Sequence, residues 1–122
     1  MKVADTELII LKILWAEAPL TIGQIIARAQ QQTEWHDNTT KTIVTRLLKK
    51  ELLSRKKDGK QFFYSPVIAQ SAVVEQASNG LLSRFFDGKI SPLIAHFADQ
   101  KKITHSDIKE IEAILEQMKR DD

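Results

Sequence analysis

Between residues 38 and 50 the chain carries Asn38, Thr39, Lys41, Thr42, Thr45, Arg46, Lys49 and Lys50 around an apolar row. Amides and hydroxyls donate and accept at the edges of bases, and lysine and arginine neutralise phosphates. The segment downstream adds Arg55, Lys56, Lys57 and Lys60. Residues 41 to 66 hold eight Lys or Arg against two Asp or Glu, a net +6. Residues 1 to 40 hold three against five, and residues 67 to 122 seven against nine. The whole chain is only +2, so positive charge is concentrated on one segment, as a surface for a polyanion requires. Taken singly, the same residues also suit a helix cap and a solvated basic surface.

To act together these groups must share a face. Thr40, Ile43, Val44, Leu47 and Leu48 recur at helical spacing, with Asp37 or Asn38 as the cap, so a helix here turns its polar residues outward. Two shorter helices precede it. Asp5 or Thr6 opens the first, in which Leu8, Leu11, Leu14 and Trp15 recur until Glu17-Ala18-Pro19. Thr21 and Gln24 form a capping box for the second, with Ile22, Ile25, Ile26 and Ala29 as its stripe. After the third helix, Asp58-Gly59 predicts a β-hairpin with a cationic tip, closed by Pro66.

Three helices and a hairpin make a winged helix-turn-helix over residues 1–66. In that plan Asn38, Thr39, Lys41 and Thr42 meet base edges at the front of the recognition helix. Thr45, Arg46, Lys49 and Lys50 meet phosphates, and Arg55, Lys56, Lys57 and Lys60 reach flanking backbone from the wing.

Residues 67–122 form a helical dimerisation region. Val73, Ala77, Leu81 and Phe85 are spaced by four along a long helix running to Asp87-Gly88. Pro92 to Phe97 is a short apolar helical piece. Thr104 to Asp107 resembles a capping box, and Ile108, Ile111, Leu115 and Met118 form a packing seam. Helices this short cannot build a core alone, so a second subunit is the natural source of the missing surface. The expected fold is mainly α with a small β-hairpin.

Other chemistry finds little support. The chain has no cysteine, which removes disulfides, thiolate metal sites and cysteine nucleophiles. His36, His96 and His105 lie in separate segments without metal-ligand spacing. Neither a nucleophile elbow nor a glycine-rich phosphate loop is present, so no enzyme, cofactor or metal is expected. Phe62, Phe63 and Tyr64 suit either a stacking platform for single strands or core packing, and strand alternation favours packing. Trp35 is expected to act as a hydrophobic staple. No run nears the ~18 apolar residues that span a bilayer, and no signal peptide opens the chain, so a cytoplasmic protein is expected.

The stretches "ELIILKILW", "WHDNTTKTIVTRLLKK", "FFYSP" and "LLSRFFDGKISPLIAHF" resemble the BlaI/MecI family of penicillinase and methicillin-resistance repressors, which also includes CopY-type copper-responsive repressors. The likeness covers nearly the whole chain. It implies a homodimer held by C-terminal helices on a dyad operator of double-stranded DNA, with Thr39, Lys41, Thr42 and Arg46 facing the DNA. Lys41 stands where family members often have Gln. Three features depart from the pattern. Glu51 replaces the usual Gly after the Lys-Lys pair, where a left-handed cap is costly. No C-terminal cysteine motif exists for copper sensing. The family's Asn-Phe cleavage pair corresponds here to His96-Phe97.

The reading that follows is a transcriptional repressor of a resistance-type gene cluster, for β-lactams or related compounds. The resemblance implies relief by an inducing signal, through a sensor or protease acting on the dimerisation region. The alternative is a protein-interaction adaptor that uses the winged helix as a scaffold.

Overall fold

The computed structural model describes residues 2–122. Its elements run α1 (Asp5–Glu17), α2 (Ile22–Gln30), α3 (Asp37–Lys49), β1 (Leu53–Asp58), β2 (Gln61–Pro66), α4 (Gln70–Phe85), α5 (Ile90–Asp99) and α6 (His105–Asp121). The chain divides into two compact units, Met1–Gln76 and Ala77–Asp122. The first therefore includes the opening turns of α4 as well as the winged head.

Helix α1 buries Ile10, Leu11, Ile13 and Leu14. Leu8 and Trp15 of the expected stripe are only half-buried, and the position that completes the face is Glu7, wholly enclosed. The cap differs from expectation for the same reason. Ala4, not Asp5 or Thr6, is the N-cap residue, and the Glu7 carboxylate accepts its amide hydrogen at 2.9 Å. Having turned inward, Glu7 satisfies one of the amides that open every helix. Trp15 ties the other end down, its indole N–H donating to the Ile68 carbonyl at 2.9 Å.

The capping box of α2 is present. Thr21 Oγ1 accepts from the Gln24 backbone amide at 3.2 Å, and Gln24 Oε1 accepts from the Thr21 backbone amide at 2.9 Å. Helix α3 begins one residue earlier than expected, with His36 at the N-cap and no side chain on its amides. Asp37 is engaged elsewhere, since Gln30 at the end of α2 donates to its carboxylate at 2.9 Å. Thr40, Ile43, Val44 and Leu47 are buried, while Leu48 and Trp35 lie half-buried against the same core.

Helix α3 ends in a Schellman motif. The Leu52 amide donates to the Leu47 carbonyl and the Glu51 amide to the Leu48 carbonyl, each at 3.0 Å. Glu51 takes the left-handed conformation, φ 62°, that this motif demands. The exit from the helix is thus the glycine-type exit, built with glutamate.

The hairpin pairs Leu53 with Pro66 through to Asp58 with Gln61. Asp58 therefore closes β1, and Gly59-Lys60 form the two-residue turn, with Gly59 at φ 67° where a first turn position with positive φ favours glycine. Leu20, between α1 and α2, exchanges backbone hydrogen bonds with Tyr64 at 3.1 and 2.7 Å. That bridge fixes the root of the wing to the helical core.

In the second unit, Thr104 and Asp107 form the expected capping box, each accepting the other's amide hydrogen at 3.0 Å. Helix α5 starts at Ile90, ahead of the expected Pro92. A proline is tolerated in the first turn, where amide hydrogens have no intrahelical acceptor. Among the described residues no helix is long and apolar enough to cross a membrane.

Candidate nucleic-acid interface

With Thr40, Ile43, Val44 and Leu47 facing the core, helical geometry leaves Asn38, Thr39, Lys41, Thr42, Thr45, Arg46 and Lys49 exposed. All but Thr39 line an open depression of about 420 Å³. Two of its hydroxyls are already oriented: Thr42 Oγ1 donates to the Asn38 carbonyl at 2.8 Å and Thr45 Oγ1 to the Lys41 carbonyl at 2.9 Å. With its proton so used, each offers a ligand an acceptor lone pair and a methyl group.

Lys50, expected at a phosphate, is held on the protein. Its ammonium lies 2.7 Å from Glu7 Oε1 and 3.2 Å from the Lys2 carbonyl. Arg46 approaches the other carboxylate oxygen, Nε to Oε2 at 3.3 Å, and keeps a side chain 50% exposed. Burial pushes the Glu7 carboxyl up. The Lys50 hydrogen bond, the Ala4 amide and the charges of Lys50 and Arg46 outweigh that and hold it below its ordinary value. Sequence reasoning did not pick out Glu7. The available signal was a carboxylate on an apolar face, at position 7 beside 10, 11 and 14.

The wing cations, all exposed, separate by strand alternation. Arg55 and Lys57 share a face with Phe62 and Tyr64, whereas Lys56 stands opposite Phe63 on the other side. The Arg55 guanidinium lies 4.2 Å from the centre of the Phe62 ring and the Lys57 ammonium 5.9 Å, within cation–π range. Lys60 occupies the turn. Of the three aromatics, Tyr64 is buried, Phe63 is half-buried and Phe62 is exposed beneath Arg55. Core packing is therefore complete only at the wing root, because the hairpin tip extends past the core.

In the C-terminal unit neither α5 nor α6 buries a single residue. Leu81, Phe85, Ile108, Leu115 and Met118 of the expected seam are exposed, Ala77 is exposed and Ile111 is half-buried. Val73 is different: only 9% of it is accessible. Leu93, Ile94 and Phe97 of α5 and Ile111 and Ile114 of α6 line an open, largely apolar groove of about 450 Å³. His96 sits in α5 with its ring centre 6.2 Å from that of Phe86 and 5.4 Å from that of Phe97.

Residues 3–117 match the penicillinase repressor family model. The penicillinase repressor of Bacillus licheniformis is 29% identical over 118 residues, covering 97% of this chain and 92% of that protein. The methicillin resistance regulatory protein MecI of Mammaliicoccus sciuri is 27% identical over 114 residues, covering 93% of each. A solved structure of Bacillus licheniformis BlaI, monomeric and in complex with the blaP half-operator, superposes with a TM-score of 0.53 at 30% identity, covering 58% of this chain and 87% of that one. A match over nearly the full length, on a winged helix whose α3 outer face is polar and open, means that the chain belongs to the penicillinase repressor family, whose members are transcriptional repressors and not enzymes.

Proposed function

We propose that this protein represses transcription by binding a dyad operator as a homodimer, with α3 in the major groove and the wing against flanking backbone. The observation that carries the proposal is the outer face of α3, where every polar residue from Asn38 to Lys49 except the buried Thr40 is open to a ligand. The half-operator complex of the related BlaI supports the same reading. Asn38, Thr39, Lys41 and Thr42 read base edges, Thr45, Arg46 and Lys49 contact phosphates nearby, and Arg55, Lys56, Lys57 and Lys60 add charge from the wing.

Exposed apolar residues on α4, α5 and α6 support pairing of two subunits through the C-terminal unit. The regulated genes are those of a resistance cluster, and an inducing signal releases the operator by weakening the dimer. The candidate cut, His96-Phe97, lies inside α5, so a sensor or protease acting there must first unwind that helix to hold an extended strand.

Gel-shift titration on a panel of dyad duplexes tests the assignment. Asn38→Ala and Thr42→Ala should change the order of preference among duplexes, while Lys57→Ala should weaken all of them alike and lower the salt slope by about one. Uniform loss from the α3 changes would refute the division of roles. Undetectable duplex binding at low salt would favour the adaptor reading.

A further inference from the structure

The buried carboxylate of Glu7 has two oxygens with different surroundings. Oε1 is satisfied by the Ala4 amide at 2.9 Å and the Lys50 ammonium at 2.7 Å. Oε2 is equally buried and accepts no hydrogen bond from the described residues. Arg46 lies 3.3 Å from it through Nε. One counter-ion and one cap would suffice to hold a buried glutamate in place, and an unsatisfied buried oxygen is costly, so its persistence calls for another explanation.

Arg46 supplies one. Its guanidinium is planar and presents five N–H donors in a fixed fork. A carboxylate drawing Nε inward restricts the rotation of that plane, and the far end of the side chain stays on the exposed side, lining the α3 depression beside Thr42 and Lys49. An arginine restrained in this way gives up less rotamer freedom when it grips a phosphate or a guanine edge.

We infer that Glu7 is a positioning residue for operator binding, acting from α1 through Arg46 while it holds Lys50 away from the ligand. The inference rests on the DNA-binding reading above. Glu7 itself touches no DNA; it orients a residue that does.

Glu7→Gln tests this, because the amide oxygen still accepts the Ala4 hydrogen while the charge is lost. The probe is the duplex bound tightest in selection from a random library, with a scrambled duplex beside it, and a cooperative thermal melt confirms folding. Glu7→Gln should weaken binding of the selected duplex by roughly five- to a hundredfold, and of the scrambled duplex by less. The discriminating measurement is coupling: Arg46→Ala should cost clearly less in the Glu7→Gln background than in the native protein, since its orientation is already lost. Equal costs in both backgrounds, or unchanged affinity of Glu7→Gln, would overturn the inference. If Glu7→Gln does not fold, Arg46→Lys replaces it, keeping the charge but removing the fork. Loss close to that of Arg46→Ala supports positioning, and native affinity overturns it. Should the native protein bind no duplex, the underlying DNA-binding reading fails instead.

Discussion

Single residues carry much of what distinguishes this repressor. Glu51 is the sharpest case, a glutamate at the left-handed position that closes α3. The Schellman hydrogen bonds and the burial of Leu47 and Leu52 on either side of it dictate the backbone there, and the side chain bears the steric cost. Glu51→Gly should therefore stabilise the protein by about 1 kcal/mol, read as a rise in the urea midpoint at unchanged slope. Thr40 is a second local cost, its hydroxyl buried without a partner among the described residues. The departure from the family pattern at residue 51 changes the energy of the helix exit and leaves its geometry intact.

At the scale of elements, α1 and α3 are joined by one carboxylate and two cations as well as by apolar packing. The ionised form of Glu7 is favoured in the folded state, because its carboxyl is held below the ordinary value of 4.5. Its contribution is therefore full above that value and drains away as pH falls through the lower folded-state value. Thermal midpoints followed from neutral pH to pH ~3 should fall more steeply for the native protein than for Glu7→Gln. Parallel curves would show that the charge adds nothing to the joint. The wing obeys a similar logic of attachment. The Leu20–Tyr64 bridge and the buried Tyr64 ring anchor its root, whereas the tip, beyond the core, is held by its own ladder and by Arg55 and Lys57 over Phe62.

For the whole molecule, the decisive fact is a C-terminal unit whose α5 and α6 bury nothing. Apolar side chains such as Ile114, Leu115 and Met118, with 59, 49 and 60% of their surface open, are unfavourable in water, and the proposed second copy would cover them. In the proposed homodimer, Leu115→Asp should leave a monomer in sedimentation without lowering the melting point of the winged head. Apparent affinity for a dyad duplex should fall about a hundredfold or more, since the second head loses its intramolecular advantage, while affinity for a half-site should hardly change. A Leu115→Asp protein that remains dimeric would remove α6 from the interface.

Local patterns determined the elements. The boxes at Thr21 and Thr104, the stripe Thr40-Ile43-Val44-Leu47 and the Asp58-Gly59 turn signal depend on neighbours within a few residues, so they could be read directly from the chain. The polar outer face of α3 followed from its buried face, because a helix that commits one side commits the other. What the tertiary structure decided lies between elements distant in sequence. That Lys50 turns to Glu7 across 43 positions, that Leu20 pairs with Tyr64, and that Val73 is covered while Leu81 is not all depend on which faces meet in space. Periodicity specifies which side of each helix is apolar. Only packing brought a carboxylate from α1 against the arginine and lysine of α3.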